Sequence, residues 1–180
     1  MTARTRTDIE RLLVAARDAI SHREYVIIGS LSVLGARELP PPAMVRSPDV
    51  DMYPKNDPGR ASEVADAIGL GSPFEATHGY YADAVSPRLP TVPEGWETRL
   101  VPVRFDSGVV GWFLHPNDAA ISKYVRGEAR DRKWIRAGLE AKILSMPTIE
   151  YRMMDTFMET DERERALAAI SEDKQWLGRI

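Results

Sequence analysis

No cysteine occurs among the 180 residues. That absence excludes disulfides, thiolate nucleophiles and cysteine-ligated zinc, and it fits a reducing cytoplasm. Histidine is scarce, at three, and no His-Asp pair stands at metal-ligand spacing. A metal-dependent phosphohydrolase therefore finds little support. No run of about eighteen apolar residues occurs, and the start, MTARTRTDIERLL, lacks the apolar core of a signal peptide. A soluble, cytoplasmic protein with no membrane partner is expected. Excess positive charge is missing too: 24 Lys+Arg stand against 27 Asp+Glu, so a nucleic-acid partner would need a local basic patch. There is no internal repeat, and the triple proline Pro40-Pro41-Pro42 is the one low-complexity stretch. What remains is enough for a core, at 43% hydrophobic residues, in one domain or a compact core with a helical extension.

The chain is organised around residues 25–53. Tyr25-Val26-Ile27-Ile28 reads as a buried strand and runs into Gly29-Ser30. About twenty residues on, Pro48-Asp49-Val50-Asp51-Met52-Tyr53 reads as a second strand opened by proline. Alternate side chains of a strand share a face, so Asp49 and Asp51 point one way and Val50 and Met52 point into the core. Two carboxylates on one face repel unless a cation or a raised pKa relieves them. A hard divalent ion with oxygen ligands, such as Mg²⁺, is the simplest relief. Taken alone, the pair also fits two solvated aspartates on an edge strand.

The strand, the Gly-Ser turn, the spacer and the D-x-D together resemble the nucleotidyltransferase superfamily, which shares the fold of DNA polymerase beta. The resemblance rests on Gly29, Ser30, Asp49 and Asp51 and spans residues 7–145. It implies that the Gly-Ser turn opens a helix, here short (Leu31–Arg37), and holds nucleotide phosphates, while the aspartates hold metal ions. Glycine allows a close backbone approach, and helix-start N–H groups favour an anion. The superfamily also carries a third carboxylate on a strand after the D-x-D, for which Asp83 is the candidate and Glu97 the runner-up.

Around these motifs, residues 7–22 read as an amphipathic helix with Thr7 and Glu10 as a capping box. A helix is expected over 60–69 and a loop over 69–73. Residues 74–86 suit a strand around the Tyr80–Val85 alternation, and 96–105 and 109–114 form a hairpin through Asp106-Ser107-Gly108. Pro102 marks an edge strand. His115-Pro116-Asn117-Asp118 begins a helix with Asn117 as cap. Lys123 lies in that helix and Asp131 opens the next. The order Lys123, Arg130-Asp131, apolar helix is similar to small bacterial nucleotidyltransferases of the abortive-infection and toxin–antitoxin kind. There a helical lysine and a following acid complete the site. In the closest motif a second acid follows, where this sequence has Trp134-Ile135. The bland alternative is a solvated lysine and a helix-start acid. The tail, 149–180, reads as charged helices, with Asp161–Arg165 as a solvated face and Met153, Met154, Phe157 and Met158 packing on the core.

The expected fold is α+β, a small mixed sheet flanked by helices, with a nucleotidyltransferase-like core over 1–114 and a helical part over 115–180. The resemblance implies Mg²⁺-dependent transfer of a nucleoside monophosphate from a triphosphate such as ATP to a hydroxyl on RNA, protein or a small molecule. Asp49, Asp51, Lys123 and Asp131 would be catalytic. Gly29, Ser30, Lys123 and Arg130 would bind nucleotide, and Asp49, Asp51 and Asp83 would bind metal. A cognate antitoxin or regulator is an expected partner. The alternative is a catalytically silent member serving as a binding or regulatory module.

Overall fold

The first helix, α1 (Arg6–Ile20), buries the expected stripe of Ile9, Leu12, Leu13, Ala16 and Ile20. Its cap differs from expectation. Thr5, not Thr7, accepts from the Asp8 amide, and the Asp8 carboxylate accepts from the Thr5 amide at 2.9 Å. Glu10 is used elsewhere: its carboxylate accepts from the amide and hydroxyl of Ser107, at 3.2 and 2.6 Å, tying the helix to a hairpin turn. The computed structural model describes residues 2–179.

The chain continues through β1 (Glu24–Ile27), a 3-10 turn at Ser30–Ser32, α2 (Val33–Ala36), α3 (Pro42–Val45) and β2 (Asp49–Pro54). After a 3-10 turn at Pro58–Arg60 come α4 (Ala61–Ile68), α5 (Pro73–His78) and β3 (Tyr81–Ala84). A further 3-10 turn at Trp96–Arg99 leads to β4 (Val101–Arg104) and β5 (Val110–Phe113). Four helices close the chain: α6 (Pro116–Arg126), α7 (Ala129–Glu140), α8 (Met146–Met154) and α9 (Thr160–Leu177).

The five strands form one mixed sheet in the order β3-β2-β1-β5-β4. β1 pairs antiparallel with β2 and parallel with β5, while β3 runs parallel to β2. β4 is an edge strand, which suits Pro102. The fold is α+β, as the resemblance implies. Three local expectations are revised. Residues 73–78 are helical, because Ser72 caps the Glu75 amide and Pro73 takes the first helical position. Residues 96–99 form a 3-10 turn entered through Gly95 in the left-handed region, so that strand starts only at Val101. His115, not Asn117, caps α6, its Nδ1 accepting from the Asn117 amide at 3.2 Å. Asn117 instead accepts from the Ser145 amide at 2.9 Å, linking α6 to the start of α8. In the tail, Met153 is buried and Met158 packs on the core, but Met154 and Phe157 are exposed. Among the described residues no helix is long and apolar enough to cross a membrane.

Candidate active site

Strand periodicity sets the carboxylates. Val50 and Met52 are fully buried, which turns Asp49 and Asp51 to the other face of β2. The parallel register places Asp83 of β3 directly beside Asp51. The three acids bring ligand oxygens within 4.8 Å of one another, an arrangement that could hold a metal ion. The Ser47 hydroxyl donates to Asp49. Burial, followed by the charges of Asp49 and Asp83, pushes the Asp51 carboxyl up to about 6, against the pull of Lys123 and Arg126. Glu97, the other acid considered for the third position, is exposed on its 3-10 turn and outside this cluster.

The Gly-Ser turn lies against the same cluster. Gly29 sits at φ 68°, ψ −154°, backbone that glycine alone adopts readily. A Cβ there would fall 1.8 Å from Asp51 Oδ2. Glycine is therefore demanded by the neighbouring carboxylate as much as by the backbone. The expected single helix over Leu31–Arg37 is instead the 3-10 turn followed by α2.

Lys123 and Asp131 meet Ser30. The Lys123 ammonium donates to Ser30 Oγ at 2.9 Å and to Asp131 Oδ1 at 3.1 Å. Its side chain is 5% exposed, so it is not the solvated lysine of the bland alternative. Burial holds Lys123 below the ordinary lysine range, although Asp131 works against this. For Asp131, burial alone would raise the carboxyl. The hydrogen bonds and charges of Arg126 and Lys123 outweigh it and hold the group below the usual carboxylate range. Arg126 forms a bidentate pair with Asp131, Nε to Oδ2 at 2.8 Å and Nη2 to Oδ1 at 2.6 Å. Trp134 completes the support. Its indole N–H donates to the carbonyls of Ser30 and Met44, at 3.1 and 3.0 Å, and its ring lies 5.0 Å from the Lys123 ammonium. Arg130 is exposed and bound to Glu128 at 2.6 Å.

Three cavities adjoin Lys123, and two of them also meet Gly29 or Ser30. The larger, about 320 Å³, is lined by Gly29, Asp51, Lys123 and Arg126 together with residues of the loop before β4 and of α9. The smaller, about 210 Å³, is lined by Ser30, Arg46, Ser47 and Arg130 among others. The site thus offers three carboxylates for a cation and, next to them, a buried ammonium and a hydroxyl suited to phosphate oxygens. Sequence reasoning does not find Arg126, Trp134 or Ser47. The spacing Lys123-x-x-Arg126 places both cations on one helical face and is the available signal; Trp134 and Ser47 offer none.

A family model described as a nucleotidyltransferase of unknown function, DUF6036, matches residues 6–176. No curated protein and no solved structure matches the chain. The match begins at the first residue of α1 and ends within the last turn of α9, so it includes every residue of the site. The chain belongs to the DUF6036 family of nucleotidyltransferases.

Proposed function

We propose that the protein uses Mg²⁺ to move a nucleoside monophosphate from a nucleoside triphosphate to a hydroxyl on RNA, a protein or a small molecule. The observation that carries this reading is the convergence of Asp49, Asp51 and Asp83 beside the Lys123–Ser30 hydrogen bond. The residues fit the ion. Three carboxylates on one sheet face repel, and a hard cation relieves them with oxygen ligands. Asp49, Asp51 and Asp83 would hold it. Mg²⁺ bound there would neutralise charge on the reacting phosphate and align an in-line displacement.

The chain's own groups supply the rest. Ser47 fixes the Asp49 carboxylate. Asp83 is the exposed member of the three, and it accepts the proton of the incoming hydroxyl. Ser30 and Lys123 bind the β- and γ-phosphates, and the Lys123 ammonium stabilises the leaving pyrophosphate in a site shielded from water. Asp131 positions Lys123 and, with it, completes the catalytic set. Arg130 adds positive charge beside the smaller cavity. A toxin–antitoxin or phage-defence setting, with a cognate antitoxin as partner, is part of the same proposal and rests on the resemblance.

Thermal unfolding with Mg²⁺ and each nucleoside triphosphate tests the binding half of the reading. A ligand at a hundred times its Kd stabilises the folded state by about 2.7 kcal/mol. The wild type should show such a rise with at least one triphosphate, and the double variant Asp49→Asn, Asp51→Asn should not. A wild-type Tm indifferent to every triphosphate contradicts the reading.

A further inference from the structure

The larger cavity holds one charged group that the transfer chemistry leaves unused. Glu162, in the first turn of α9, lines it together with Leu89, Pro90 and Thr91 of the loop between β3 and β4. Gly29, Asp51, Lys123 and Arg126 form the wall that belongs to metal and phosphate chemistry. Much of the remaining lining is apolar, including Leu114, Ala119 and Val125. A cavity of about 320 Å³ whose apolar stretch adjoins charged groups suits a flat heterocycle that carries phosphates.

The carboxylate is held in place. The Glu159 amide donates to Glu162 Oε2 at 3.0 Å, closing the capping box of α9. Oε1 has no donor among the described residues. The next residue, Arg163, donates to the carbonyls of Met153 and Thr156 at 3.3 and 2.6 Å, which anchors the start of the helix. Further along, the buried Asp173 accepts from Arg132, Arg136 and Tyr124 and fixes α9 to α6 and α7.

We infer that this cavity seats the nucleotide base, given the transferase reading above, and that Glu162 selects bases carrying an exocyclic amine over uracil. An ionised carboxylate only accepts hydrogen bonds. Adenine, cytosine and guanine each present an amino group to donate. Uracil has none. Its N3–H lies between two carbonyl oxygens, and these would face the carboxylate with like charge. A site built to hydrogen-bond an amino group rejects an analogue lacking it far more strongly than an apolar pocket rejects a change of size.

Isothermal calorimetry on the full chain with Mg²⁺ and ATP, CTP, GTP or UTP tests this. At least one amino-bearing triphosphate should bind about tenfold or more tighter than UTP, the order expected for one hydrogen bond to a charged group. Glu162→Gln preserves size and the capping bond, since glutamine also serves in a capping box. It removes the charge and adds a donor, so the preference should shrink to within about threefold. Equal binding of UTP and the best amino-bearing nucleotide by the wild type overturns the inference. So does a preference that survives in Glu162→Gln. Binding of none of the four overturns the transferase reading itself, and the inference with it.

Discussion

Asp51 is the residue on which the proposed chemistry turns. Its carboxyl rises from an ordinary aspartate value of 3.8 to about 6 in the fold, so the folded state holds the proton more tightly than the unfolded chain. Metal-free stability should therefore fall as pH rises between these two values and stay at the lower level above them. After discounting for solvent screening, the loss should be about 1–2 kcal/mol. Urea unfolding in EDTA should show this slope in the wild type and not in Asp51→Asn; identical pH profiles would refute it. Because protons compete with the cation, apparent Mg²⁺ affinity should weaken as pH drops below about 6. Gly29→Ala should cost on the order of 1–3 kcal/mol of stability and abolish the Mg²⁺-dependent rise in Tm, because its Cβ would collide with Asp51. Lys123→Met removes a buried charge. It should cost roughly 2–3 kcal/mol in chemical denaturation, below the loss typical of a stripped buried pair, because Arg126 still holds Asp131. Asp49 and Asp51 are legible in the sequence because strand period alone sets their face. Trp134 is not, because its two acceptors, Ser30 and Met44, lie about ninety or more positions away in the chain.

At the scale of elements, patterns confined to a single element are legible, and long-range pairings decide the rest. The α1 stripe follows from spacing, yet its capping box lies at Thr5 and Asp8 because Glu10 finds Ser107 across the fold. The charge run Asp161–Arg165 reads as a solvated face. Asp161, Glu164 and Arg165 do lie exposed, but Glu162 turns toward the cavity and Arg163 toward carbonyls of the preceding segment. Asp173 is the clearest case. It is fully buried in a helix whose sequence looks charged throughout, because Arg132 and Arg136 of α7 and Tyr124 of α6 supply three donors. Asp173→Leu leaves those groups facing an apolar side chain and should destabilise the protein by about 3 kcal/mol or more. The same variant should loosen α9, read as faster amide exchange along it in hydrogen-exchange experiments. Unchanged stability would mean that α9 is held by its apolar contacts alone.

The whole molecule brings elements distant in sequence to one place. β2 and β3 supply three carboxylates, the turn after β1 supplies Ser30, and α6 and α7 supply Lys123 and Asp131. The sheet order is not legible in the sequence, since β5 reaches β1 only after the chain has passed through β2, β3 and β4. Net charge, at −3, does not mark a phosphate-binding protein. The cations that matter are few, and one of them is buried. We propose that this assembly transfers the nucleotidyl group. The most direct test offers the protein a triphosphate labelled at either the α- or the γ-phosphorus, with Mg²⁺ and total cell extract as the source of acceptor. Label should move to an acceptor from the α-labelled triphosphate only, and Asp51→Asn should abolish the transfer. Label moving from the γ-position, or α-label transferred undiminished by Asp51→Asn, would contradict the proposal.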